Sequence, residues 1–256
     1  MNNPLIVALD VDNATEARRL VSQLESTVDF YKIGMELYAA EGMSFVKEVL
    51  DKNKRVFLDL KLYDISETVK RATKQIAKTG VTFLTVHGSL SVLRAATEGR
   101  SDSDLKLLGV TVLTSFDQQD LTDLGFPCEV ENLVALRARN AMASGLDGLI
   151  CSAMEVGAVR TITGPKSILI TPGVRSLQAS TGDQKRVTTP SEAILNGADY
   201  VVVGREVTRA KDPRADAERI LNDIRQHLAA RDEGGKHATI TAGQAPEHPT
   251  TVPSGI

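Results

Sequence analysis

The chain has 256 residues, 42% of them hydrophobic and 25% charged, with a formal net charge of −3. That describes a soluble globular protein long enough for a large core, and with no basic stripe and no Trp it argues against nucleic-acid and membrane-surface partners. No apolar run reaches the roughly 18 residues of a bilayer span, the N-terminus meets Asp10 too soon for a secretory signal, and Cys128 and Cys151 have neither metal-ligand spacing nor a disulfide framework, which fits a reducing cytoplasm.

Short β-rich runs alternate with helical patterns along the chain. Leu5–Leu9 is the first run, and Asn13 then caps a helix carrying Ala14, Ala17, Leu20, Val21 and Leu24 at helical spacing. Residues 30–33 form a weaker run that stops at Gly34, followed by a helix with Phe45, Val46, Val49 and Leu50. Val56–Leu60 precedes a helix over Ile65–Lys78, with Gly80 as its stop signal. Val81–Val86 ends at His87, and a helix lies near Ser91–Thr97.

The second half repeats the scheme. Leu105–Leu113 ends at Thr114-Ser115, and a long connection over Phe116–Cys128 leads to a helix from Glu129 to Ser144. Leu146–Cys151 precedes a short helix over Glu155–Ile162, and Ser167–Thr171 ends at Pro172-Gly173. The polar segment Arg175–Thr189 is longer than most connections and reads as a lid. A helix opens at Pro190, Tyr200–Val203 ends at Gly204-Arg205, and the last helix runs from Pro213 to about Ala230.

Eight β runs alternating with eight helices is the pattern of a (β/α)8 TIM barrel, an α/β fold, built as one domain over residues 1–231. An open doubly wound sheet is the competitor, and the count of eight favours the barrel. Residues 232–256 lack apolar periodicity and read as a poorly ordered tail.

Active sites of such barrels lie at the C-terminal ends of the strands. The unusual polar residues fall there: Asp10, Lys32, Asp59, Lys61, His87, Thr114 and Arg205. Strand periodicity puts Asp59 and Lys61 on one face, and two charges on an inward face are costly unless paired. Each position also has a bland reading. Asp10 could make an Asx-turn, Lys32 could be solvated, Asp59 and Lys61 could be a structural ion pair, and Thr114 could merely close its strand. His87 and Cys151 could be core residues. Asp64, three residues before Glu67, has the outline of a helix capping box. The loops after the seventh and eighth runs are the usual phosphate place in this fold. They carry Pro172, Arg175, Gly204 and Arg205, with Gln184 in the lid as a further donor.

These residues carry a resemblance. LDVDN at Leu9–Asn13, YKIG at Tyr31–Gly34, DLKLYDI at Asp59–Ile65, GVTVLTS at Gly109–Ser115, TPGVR at Thr171–Arg175, GDQKR at Gly182–Arg186 and GADYVVVGREVTRAKDP at Gly197–Pro213 resemble the bacterial orotidine 5′-phosphate decarboxylase family. The resemblance implies decarboxylation of orotidine 5′-phosphate to UMP without metal or cofactor. It implies that Lys32, Asp59 and Lys61 form a charged array with Asp64 of a second subunit, Lys61 protonating C6 of the pyrimidine. Asp10 and Lys32 would hold the ribose, with Asp64 and Thr68 reaching across a homodimer interface. Thr114 would lie by the base, and Gln184, Gly204 and Arg205 would hold the phosphate. The sequence departs from the family pattern at Ser66, where proline is usual, and at Gly88-Ser89-Leu90.

Overall fold

The structure is a computed structural model that describes residues 3–176 and 188–238. Eight parallel strands close into a barrel in sequence order: β1 Leu5–Ala8, β2 Phe30–Gly34, β3 Arg55–Leu62, β4 Phe83–Val86, β5 Lys106–Val110, β6 Gly148–Ile150, β7 Ile168–Pro172 and β8 Tyr200–Val203. Pairing of Leu5, Ile6 and Val7 with Val201, Val202 and Val203 shuts the ring and rules out the open sheet.

The continuous apolar runs have a physical cause. A parallel strand of this fold is buried on both faces, so both of its alternating sets must be apolar. On β1, Leu5 and Val7 join the layer between barrel and helices, while Ile6 and Ala8 join the barrel interior. Three of the six phenylalanines, Phe30, Phe57 and Phe83, fill that interior. Phe30 and Phe83 lie 5.0 Å apart between ring centroids, and the Arg55 guanidinium sits 4.3 Å from the Phe30 ring. These groups fill the N-terminal end of the barrel, while polar side chains gather at the other end.

The helices cover the outside: α1 Ala14–Gln23, α2 Met35–Asp51, α3 Ser66–Ile76, α4 Leu90–Arg100, α5 Gln118–Asp123, α6 Val130–Ala143, α7 Val156–Thr163, α8 Pro190–Leu195, α9 Arg205–Thr208 and α10 Pro213–Ala238. Asn13 caps α1 by accepting from the Glu16 amide, and Ala14, Ala17, Leu20 and Val21 form the buried stripe that the spacing requires. Two short helices add to the eight that the sequence pattern predicts. In the connection after β5, Asp117 and Asp120 form a reciprocal capping box on α5, and α9 is a single turn after Gly204. Neither is long enough to show a helical period. The last helix reaches Ala238 rather than ending near Ala230, so the first part of the expected tail is helical. Residues 239–256 lie outside those described. No described helix is long and apolar enough to cross a membrane.

Candidate active site

The two-residue period carries each strand from the apolar interior to a polar top. Inward positions run Ile6, Ala8, Asp10 on β1 and just beyond it, Phe30, Lys32 on β2, Phe57, Asp59 on β3 and Phe83, Thr85 on β4. The polar members meet. Lys32 Nζ lies 2.7 Å from Asp10 Oδ1 and 3.8 Å from Asp59 Oδ2, and Lys61 Nζ lies 2.9 Å from Asp59 Oδ1. Charges alternate along this row, so each ion offsets the desolvation of its neighbour. The Lys32 and Asp59 side chains are only 11% and 14% exposed, whereas Asp10 is half open at 53%.

Asp59 and Lys61 form their pair by a route that simple alternation does not describe. The pairing of β3 with β4 shifts register between Leu58 and Leu62, and Lys61 has a left-handed backbone with φ +48°. The strand is bulged here, which re-aims the Lys61 side chain. Thr85 stands at the bulge. Its hydroxyl accepts from the Lys61 amide at 2.8 Å and donates to Asp59 Oδ1 at 2.9 Å.

Above the row opens a cavity of about 310 Å³. Val110, Val112, Ile150 and Val202 give it an apolar wall, and Asp10, Lys32, Asp59 and Lys61 a charged one. Thr114, Pro172, Arg175, Gly204 and Arg205 line the remainder. The cavity therefore has an apolar side suited to a flat ring, a row of ions, and two arginines at its β7–β8 side. On that side the Arg175 and Ser176 amides are both hydrogen-bonded. The Arg175 amide donates to the Thr188 carbonyl at 3.1 Å, and the Ser176 amide donates to Glu206 at 3.1 Å. The stretch between Ser176 and Thr188, including Gln184, lies outside the described residues.

Some expected site residues stand elsewhere. His87 does not join the main cavity. It lines a smaller one of about 160 Å³ with Leu113, Phe126 and Arg137, its Nε2 3.2 Å from Arg137 Nη1. Burial, and then the nearby Arg137 and Lys61 charges, hold its imidazole below the usual range. Asp64 and Thr68 do not line their own chain's cavity. The capping box read at Asp64 and Glu67 is absent. Ile65 occupies the cap position of α3 with no side-chain cap bond, and Asp64 Oδ1 instead accepts from the adjacent Ile65 amide at 2.6 Å. The chain enters α3 in an extended conformation at Ile65, so the Asp64 carboxylate falls one residue short of the cap. Ser66 is the first helical residue, a position that accepts proline or serine alike. Cys151 is a fully buried core residue whose thiol pKa burial pushes up.

Two groups at this site carry no chemical signal in the sequence. Thr85 lies within the run Val81–Val86. Gly34 ends β2, and a Cβ there would sit 2.9 Å from Lys32 Nζ and 3.1 Å from Asp10 Oδ1. The ion pair occupies the space a side chain would need.

Comparison with known proteins meets this geometry. A profile described as the orotidine 5′-phosphate decarboxylase / HUMPS family matches residues 3–220. An orotidine 5′-phosphate decarboxylase of Nitrobacter winogradskyi is 48% identical over 224 residues, covering 88% of this chain and 93% of the relative. One from Bradyrhizobium sp. is 50% identical over 225 residues, with 88% and 93% covered. The crystal structure of the Lactobacillus acidophilus orotidine 5′-phosphate decarboxylase aligns with a TM-score of 0.75 at 35% identity, covering 87% of this chain and 99% of that one. With its ions, cavity and closed barrel in place over the matched span, the chain belongs to the orotidine 5′-phosphate decarboxylase / HUMPS family.

Proposed function

We propose that the protein converts orotidine 5′-phosphate to UMP and CO2, the last step of de novo UMP synthesis, as a metal-free and cofactor-free carboxy-lyase of the cytoplasm. The observation that carries this reading is the alternating row Asp10–Lys32–Asp59–Lys61 facing a cavity with an arginine-bearing rim. In the reaction the bond from C6 to the carboxylate breaks and CO2 leaves. The electron pair stays on C6, in an orbital the ring cannot drain. Lys61 delivers a proton from Nζ to C6 and later regains one from water. Asp59 stands beside the departing carboxylate, and Asp10 and Lys32 take the ribose hydroxyls. Thr114 lies by the pyrimidine, while Pro172, Arg175, Gly204 and Arg205, with Gln184 from the segment above, receive the phosphate.

Magnitudes limit what one lysine does. An ammonium about 4 Å from a developing charge contributes roughly 4 kcal/mol at an effective dielectric near 20. Enzymatic stabilisation reaches about 23 kcal/mol at the upper end of the usual range. The remainder comes from preorganisation driven by phosphate and ribose contacts far from the reacting carbon.

The row is completed, in this reading, by Asp64 of a second copy of the chain, with Thr68 beside it, in a homodimer. Asp64 is exposed, freed from capping and outside its own cavity. Tyr63 and Ile65 on either side are 67% and 71% exposed, large apolar groups on a surface that a partner would cover.

A metal-dependent sister barrel acting on sugar phosphates is the second reading, since it shares the D-x-K-x-x-D element and would use the first acid as a metal ligand. Here that acid, Asp59, is held by two ammonium groups and the Thr85 hydroxyl. Ultraviolet-monitored turnover of orotidine 5′-phosphate by purified protein in excess EDTA separates the two. Full activity is expected, and loss of activity on chelation would sink the metal-free reading.

A further inference from the structure

We propose that Thr85 is a positioning residue for decarboxylation, its single hydroxyl holding the Lys61 backbone and the Asp59 carboxylate at once. The inference rests on the charged-row reading above. The left-handed backbone at Lys61 persists only where its surroundings over-determine it, since a side-chain-bearing residue rarely adopts that conformation. The register shift between Leu58 and Leu62 takes the Lys61 amide off the regular ladder with β4. A buried amide without an acceptor is costly, and Thr85 Oγ1 supplies the acceptor at 2.8 Å.

Hydrogen-bond direction then follows. The amide can only donate, so the hydroxyl accepts there and its one proton is left for Asp59 Oδ1, 2.9 Å away. Thr85 has no solvent exposure, so water does not replace it. The hydroxyl thereby ties the backbone of the proposed proton donor to the carboxylate that pairs with that donor's ammonium, also at 2.9 Å. Four atoms of one site are tied in a loop that closes through the Lys61 side chain: Lys61 N, Thr85 Oγ1, Asp59 Oδ1 and Lys61 Nζ. Thr85 faces the row from below and does not line the cavity, so it acts through Asp59 and Lys61 and not on substrate.

The test compares Thr85→Val, which keeps shape and removes the hydroxyl, with Thr85→Ser, which keeps the hydroxyl. Steady-state turnover of orotidine 5′-phosphate is measured alongside circular dichroism and thermal melting. Loss of positioning predicts a kcat reduced about 10- to 100-fold in Thr85→Val with KM changed less than about threefold, and return to within about threefold of the unaltered enzyme in Thr85→Ser. A folded Thr85→Val with kcat within about twofold of the unaltered enzyme overturns the proposal, as does an equal loss in Thr85→Ser, which would assign the effect to packing. If Thr85→Val does not fold, Thr85→Cys takes its place, since a thiol is a weak donor and acceptor. Lys61→Ala runs in parallel. Activity surviving in Lys61→Ala would refute the charged-row reading itself, whereas an inactive Lys61→Ala beside an intact Thr85→Val would refute only the role given to Thr85.

Discussion

Arg205 shows how a single residue gains meaning from its place. Next to Gly204 at the end of β8, it lines the same cavity as the ion row. A guanidinium there suits phosphate oxygens through paired hydrogen bonds. Arg205→Ala is expected to weaken use of orotidine 5′-phosphate, seen in kcat/KM, by about 100-fold or more, the worth of a charge-assisted pair. Use of the phosphate-free nucleoside should barely change. Equal losses on both substrates would remove Arg205 from the phosphate site. Gly34 carries the converse lesson, since its contribution is the absence of a side chain beside Lys32 and Asp10.

At the scale of elements, β4 and α6 are joined by a polar contact in apolar surroundings. His87, at the end of β4, meets Arg137 of α6 at 3.2 Å, and its ring lies 5.7 Å from Tyr63. Burial and the Arg137 and Lys61 charges disfavour the imidazolium in the folded state, so the folded pKa lies below the unfolded value. A group depressed in this way contributes stability that is complete above the unfolded value, about 6.5 for histidine, and declines as pH falls below it. Thermal melts should therefore show a smaller loss of stability between about pH 7.5 and pH 5.5 for His87→Gln than for the unaltered protein. Identical slopes would show that His87 does not charge on unfolding in this window. On α3 the lesson is geometric. Asp64 and Glu67 have capping-box spacing, but the helix begins one residue too late for Asp64 to serve it.

At the scale of the whole molecule, the proposed homodimer with Asp64 completing the neighbour's ion row has a direct test. Lys61→Ala and Asp64→Ala should each abolish most activity. Co-refolding the two variants distinguishes the arrangements. If Asp64 serves the neighbouring barrel, each hybrid dimer contains one intact site, and activity should return to about a quarter of the unaltered level in a statistical mixture. If Asp64 serves its own barrel, every site in the hybrid lacks one group and no activity returns.

The sequence by itself determined the eight strands, most of the helices and the residues at the strand ends. These are local, one-dimensional properties: a strand buried on both faces must be apolar throughout, and a charged residue ending such a run must be inside or at the mouth. Asp10, Lys32, Asp59, Lys61 and Arg205 were legible for that reason, and they line one cavity with Thr114, which lies past the end of β5 at Val110 and not at the strand end that the run Leu105–Leu113 suggested. His87 met the same criterion yet turned toward α6, because only packing decides which neighbour a strand-end side chain faces. The bulge at Lys61, the hydroxyl of Thr85 and the space above Gly34 were decided by tertiary structure alone. Thr85 lies 24 residues from Lys61, and the register between β3 and β4 sets their contact. Local periodicity carries no information about that register, so the ions could be read from the sequence while the group that holds them could not.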